Sequence, residues 1–183
     1  MKKFEQDNYR CELDAKDVFA LMARAYRLAN HSPDPHTQHG CIILSQRPYR
    51  YGIIGQGYNR PLKCIPSPLI PKTRPHKYAY HIHAEINAMI DASRRGSIMH
   101  DSTAIVTGPS CPACFRALVE AGIRTFYYCE TKSACINPED EEAIKVMQQH
   151  SGAVIYTVSL REVLGHDEST HKLNIPNFGI CDV

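Results

Sequence analysis

Apolar residues recur along this chain with two periods, and the switches between them lay out its elements. After Asp14, the residues Val18, Leu21, Met22, Ala25, Leu28 and Ala29 keep the spacing of one helical face, and Asp14 is placed to cap that helix. The helix has to stop at Asn30-His31-Ser32-Pro33, because residues before proline avoid the α region and neither Pro33 nor Pro35 has a backbone N–H. Short apolar runs at residues 41–44 and 51–57, joined by a turn around Gln46-Arg47-Pro48, predict a hairpin. Residues 60–77 carry many prolines and no apolar period, which marks an irregular insertion of the kind that lines sites. Helical spacing returns over 83–95, with Ile86, Met89 and Ile90 on one stripe. A strand at 104–107 follows, then a helix from Cys111 to Ala121 that Gly122 ends. Residues 125–129 read as a strand, Asn137-Pro138-Glu139 as the cap and acidic first turn of a helix to about His150, and residues 153–158 as a last strand.

Helices alternating with apolar strands predict an α/β fold, a mixed sheet flanked by helices with a leading hairpin. At 183 residues with 43% hydrophobic content the chain is one soluble globular domain, 1–183, its core at about 14–160 and its polar tail at 165–183. The segment through Leu13 is polar and outside that core. A net charge of +2 without blocks of like charge makes no demand for a nucleic-acid partner, while a small anionic substrate remains compatible. No apolar run approaches the ~20 residues that span a bilayer, and no apolar N-terminal segment directs secretion. The eight cysteines are therefore expected as thiols in a reducing cytoplasm.

The chemistry concentrates in His83-Ala84-Glu85 and Cys111-Pro112-Ala113-Cys114. Zinc favours thiolate and imidazole in tetrahedral geometry, and a catalytic site keeps three protein ligands and leaves the fourth position to water. His83, Cys111 and Cys114 supply those three. A Cys-x-x-Cys that opens a helix brings both sulfurs to its N-terminus, where the dipole favours thiolate. Glu85, in the first turn after His83, then faces the metal-bound water without ligating the metal. A redox pair would leave His83 and Glu85 without a role, and a structural zinc needs a fourth Cys or His at similar spacing. Ten histidines with Cys41 and Cys64 offer material for a second, structural zinc, but no unused pair has a standard ligand spacing. Tyr127 and Tyr128 read as core, whereas Tyr80, in a loop just before His83, is better placed to stack on a base.

H-x-E followed by P-C-x-x-C is the signature of the zinc-dependent cytidine deaminase superfamily, and the chain resembles it over about residues 14–160. The wider pattern is most similar to deoxycytidylate (dCMP) deaminases, including those of bacteriophages. It comprises Ser32-Pro33-Asp34-Pro35-His36-Thr37-Gln38-His39-Gly40, then Gly57-Tyr58-Asn59, then Tyr78 through Ala88. Three positions depart from it: Ser110 stands between Pro109 and Cys111, Arg60-Pro61 follows Asn59 where a glycine is usual, and His39 replaces a valine. Asn59-Arg60-Pro61 is similar instead to tRNA adenosine deaminases.

The resemblance implies a three-layer α-β-α sandwich with a mixed five-stranded sheet, one catalytic Zn2+ per chain, Glu85 as proton carrier, and hydrolysis of dCMP to dUMP and ammonia in support of thymidylate synthesis. It places substrate contacts at Asn59, Ser32, Asp34, Thr37, Tyr80, Ala84 and Arg60, with the Ser32 to Thr37 loop near the phosphate. It further implies a homo-oligomer, hexamer or dimer, in the cytoplasm (the host's, for a viral chain). A Mg2+-bound nucleotide effector occurs in such oligomers, and the loop concerned usually carries the glycine that is Arg60 here. Deamination in tRNA or of another nucleotide (dCTP, CMP, a modified dCMP) and an inactive zinc-stabilised interaction module are the alternatives.

Overall fold

The computed structural model describes residues 13–47, 50–130 and 137–166. The polar start, the turn at Pro48 and the tail beyond residue 166 lie outside the described residues. In chain order the elements are α1 (Ala15–Ala29), β1 (Gly40–Arg47), β2 (Arg50–Tyr58), β3 (Arg60–Pro61), β4 (His81–Ile82), α2 (Ala84–Arg94) and β5 (Thr103–Val106). There follow α3 (Pro112–Glu120), β6 (Thr125–Glu130), α4 (Pro138–Ser151), β7 (Val154–Ser159) and α5 (Leu160–His166). The expected caps are in place. Asp14 accepts from the amides of Lys16 and Asp17 at the start of α1, and Asn137 from that of Asp140 at the start of α4. Gly122, at φ +97°, closes α3, where its amide bonds Val119 O and that of Ile123 bonds Leu118 O.

The five-stranded sheet has the order β2-β1-β5-β6-β7. The β1–β2 and β1–β5 pairs are antiparallel and the β5–β6 and β6–β7 pairs parallel, so the sheet is mixed as expected. Its central strands are covered on both faces. Ile42, Leu44, Ile105, Tyr127 and Cys129 pack with Val18, Met22 and Tyr26 of α1 and Val163 of α5. The alternate residues Cys41, Ile43, Ala104, Val106, Phe126 and Tyr128 pack with Ala84 and Ala88 of α2 and Phe115 and Leu118 of α3, while Ile144 and Met147 of α4 pack on their margin. The result is helix–sheet–helix in three layers. Among the described residues no helix is long and apolar enough to cross a membrane.

Two details differ from the reading of the sequence. Helix α5 and the two-residue pairing of β3 with β4 were not anticipated; α5 is only seven residues long, although Val163 makes it part of the core. The buried side of α2 is also not the apolar stripe: Ile86, Met89 and Ile90 are only half-buried, and Ala84, Glu85, Ala88 and Ala92 face inward. The cause is on the opposing strand. A Cβ on Gly57 would stand 2.5 Å from the Ala88 nitrogen and 2.7 Å from the Ala84 oxygen, and one on Gly55 would collide with Ala88 and Ala92. Backbone therefore packs almost directly on backbone, which only alanine and glycine permit.

Gly57→Ala should lower the unfolding free energy by roughly 3 kcal/mol, the upper end of overpacking costs, and release bound metal by displacing the start of α2. Gly52→Ala, whose nearest neighbour would be Ser45 Oγ at 3.5 Å, should stay within about 0.5 kcal/mol of wild type. Urea denaturation of the two variants makes the comparison, and equal midpoints would contradict the close packing.

Candidate active site

Two helices begin at one place. His83 is the N-cap of α2 and Cys111 the N-cap of α3, with nearly identical extended backbone angles, φ −68° in both and ψ 157° and 160°. Neither makes a side-chain capping hydrogen bond, so both side chains turn toward the gap between the helices. His83 Nδ1 lies 3.6 Å from Cys111 Sγ and 3.4 Å from Cys114 Sγ, and all three ligand atoms fall within 4.8 Å of one another. Tetrahedral zinc with Zn–N of about 2.1 Å and Zn–S of about 2.3 Å requires N···S separations of about 3.6 Å. Both N···S separations thus suit a tetrahedral zinc ion. Among the described residues no other such group gathers, so the histidines and thiols considered for a second metal do not form one there.

The three ligand side chains lie in hydrogen-bond reach of one another and can share protons. The Cys111 thiol is pulled down to about 4, first by the hydrogen bond from Cys114 and then by that from His83. The same Cys111–Cys114 bond, with burial, pushes Cys114 up, and the bond to Cys111 raises His83. Metal binding replaces these shared protons, so affinity should fall as the solution is acidified. Glu85, in the first turn of α2, is 6% exposed, whereas His83 lies at the surface. Glu85 is close enough to the ligands to raise both His83 and Cys114 by its charge.

The expected substrate loop is one connected network. Ser32 Oγ donates to Asn59 O at 2.7 Å and receives the Asp34 amide. Asp34 Oδ1 accepts the amides of His36 and Thr37. Asn59 uses both ends of its side chain on this loop, Nδ2 donating to Thr37 O and Oδ1 accepting from His39 N, each at 2.7 Å. Arg74 donates to Thr37 Oγ1 at 2.9 Å. Sequence reading passed over Lys77, whose ammonium sits 2.6 Å from Asp34 Oδ2 with both side chains buried. Burial alone would raise the Asp34 carboxyl, but Lys77 and the two amides outweigh it and hold the pKa below the usual value.

The remaining candidates are placed differently. Ala84 is the buried first residue of α2, and its amide is among those at a helix start without an intrahelical acceptor. Tyr80 is half-buried at the end of a 3-10 turn (His76–Tyr80), its carbonyl accepting from Leu62 N. Arg60 is paired across β3–β4 with Ile82, the residue before His83. It donates to Asn87 Oδ1 and Pro61 O, and with Gly57, Tyr58, Lys63 and Arg94 it lines a cavity of about 200 Å3 beside β2. His39, one of the departures, has its Nδ1 3.4 Å from Thr107 Oγ1, and its pKa is lowered, first by burial, against the opposing pull of Glu85. Ser110, another, is 2% exposed immediately before Cys111.

With this geometry in hand, comparison with known proteins is specific. Residues 16–130 match the family described as the cytidine and deoxycytidylate deaminase zinc-binding region. The deoxycytidylate deaminase of enterobacteria phage T2 is 46% identical over 50 residues, 27% of this chain and 27% of that protein, so the match spans about a quarter of the relative. ComE operon protein 2 of Bacillus subtilis is 26% identical over 158 residues, 84% of this chain and 77% of that one. The dCMP deaminase of cyanophage S-TIM5, solved with dCMP and dUMP, superposes with a TM-score of 0.61 at 20% identity, covering 80% of this chain and 100% of that one, and shows the same fold.

Two outcomes check the geometry. Cys114→Ala should lose tightly bound zinc, measured as metal per chain after gel filtration, because two protein ligands remain of three; full zinc in that variant would contradict the assignment. Asp34 has a lowered folded-state pKa, so its contribution to stability is complete above the unfolded value of 3.8 and is lost as pH falls through the lower folded value. The stability gap between wild type and Asp34→Asn in urea should accordingly be widest near neutrality and shrink below that value; a gap that widened with acid would refute the charge pairing.

Proposed function

Since this chain belongs to the cytidine and deoxycytidylate deaminase zinc-binding family, we propose that it hydrolyses dCMP to dUMP and ammonia, feeding thymidylate synthesis. The observation that carries this reading is the meeting of His83, Cys111 and Cys114 within 4.8 Å beside a buried glutamate. Zinc bound there would supply a hydroxide equivalent at neutral pH. Glu85 takes one proton from the attacking water and gives it to the ring nitrogen, then takes the proton of the new hydroxyl and gives it to the departing amine, so that water adds, ammonia leaves and a carbonyl remains. The first amides of α3, which have no intrahelical acceptor, would be available to stabilise charge developing on the oxygen that becomes this carbonyl.

Ser32, Asp34, Thr37 and Asn59 form the wall for sugar and phosphate, with Asn59 acting through the loop it holds, and Arg74 adds a cation at Thr37. Tyr80 flanks the base, and Ala84 offers its amide. Arg60 is committed to Asn87 and Pro61, which favours a structural over an effector role, so a Mg2+-bound nucleotide regulator forms no part of this reading. The five described cysteines are thiols, in keeping with a reducing cytoplasm. Half-buried Ile86 and Ile90 and exposed Ile98 give a homo-oligomer, dimer or hexamer, an apolar surface to use.

A panel of dCMP, CMP, dCTP, deoxycytidine and tRNA, assayed for ammonia release, tests the substrate. The expected result is a specificity constant for dCMP at least ~100-fold above that for deoxycytidine, because each charge-assisted hydrogen bond to phosphate contributes ~1.5–3 kcal/mol. Equal rates would refute phosphate recognition, and turnover of tRNA alone would turn Asn59-Arg60-Pro61 into the deciding feature. Glu85→Gln should retain zinc and nucleotide binding while kcat falls by ~10²-fold or more. An unchanged kcat would rule out Glu85 as the proton carrier.

A further inference from the structure

Lys77 and Asp34 are 3% and 4% exposed, 2.6 Å apart and 43 residues apart in sequence. A buried ion pair is a poor source of stability, since removing two charges from water costs about what their attraction returns. Its placement is more informative. Asp34 holds the amides of His36 and Thr37 with one oxygen and Lys77 with the other. Lys77 lies in the 3-10 turn His76–Tyr80, which runs through β4 directly into the ligand His83. One contact therefore joins the polar loop of residues 32–39 to the segment that delivers the metal ligand.

We propose that Lys77 is a positioning residue for the reaction: through Asp34 it fixes the 32–39 loop relative to His83, so that nucleotide and metal centre are presented in register. This rests on the reading of that loop as the nucleotide wall. Lys77 is not itself a phosphate ligand, because its ammonium is enclosed and neutralised by Asp34. Thr37 is the focus of the arrangement. Asp34 orients its amide, Asn59 its carbonyl and Arg74 its hydroxyl.

The test compares wild type with Lys77→Met, Asp34→Asn and the double variant for zinc content, urea stability, and kcat and KM on the nucleotide the wild type turns over. Lys77→Met leaves a buried carboxylate unpaired and should be unstable, whereas the double variant leaves no net charge in the site and should recover stability. If the pair positions the loop, the double variant keeps one zinc per chain yet shows KM raised at least ~10-fold, with a smaller fall in kcat, and its preference for nucleotide over nucleoside shrinks by a similar factor. Recovery of KM and of that preference along with stability would overturn the proposal and leave the pair purely structural. Should wild type deaminate a different member of the panel, the dCMP assignment fails while the same comparison on that substrate still decides the role of Lys77. A wild type that turns over none of the panel overturns both.

Discussion

The site depends on how closely α2 can approach β2. Gly55 and Gly57 on the strand face Ala84, Ala88 and Ala92 on the helix, so the two backbones meet with almost no side chain between them. That depth fixes where the helix starts, and the start carries His83 and Glu85. Helix α3, capped by Cys111 at one end and followed by Gly122 at the other, brings two sulfurs to the same point. A metal tolerates errors of only about 0.2 Å in ligand distance. A seam of small residues, with no rotamers to vary, meets that tolerance better than interleaved long side chains would.

Charge then accounts for the rest of the arrangement. Two helix N-termini converge on the ligands, and their partial positive charges favour thiolates there. Zinc with two thiolates is formally neutral, so Glu85 is the net charge of the centre. Any anion near the centre would consequently meet less repulsion against the amides and hydroxyls of the 32–39 loop and Arg74 than beside the glutamate. The buried Lys77–Asp34 pair adds no net charge to this balance.

How much of this the sequence disclosed follows from how local each feature is. His83, Glu85, Cys111 and Cys114 sit in two short segments whose residue types and spacing already specify a metal, and Asp14, Asn137 and Gly122 announce helix ends by chemistry that acts within a few residues. The two-sided burial of the central strands was likewise written in continuous apolar runs such as Ala104 to Val106. What was not legible depends on partners far along the chain. Periodicity put Ile86, Met89 and Ile90 on the inner face of α2, and only the glycines of β2 explain why alanines are there instead. The resemblance put Asn59 among the substrate contacts, but its grip on Thr37 and His39 spans about 20 residues. Lys77 resembled its exposed basic neighbours Lys63 and Lys72 until the fold set it against Asp34.

The division between a backbone-on-backbone seam and a long, irregular connection also separates two kinds of evolutionary freedom. The seam admits almost no variation, since any added atom at Gly57 shifts the helix that carries both a ligand and the carboxylate. Between β3 and β4 lie only short 3-10 turns, and exposed side chains such as Lys63, Leu69, Lys72 and Tyr78 can be exchanged without disturbing the sheet. A lineage built on this scaffold can therefore change the exposed face of that connection while the packing that sets His83 and Glu85 in place stays fixed.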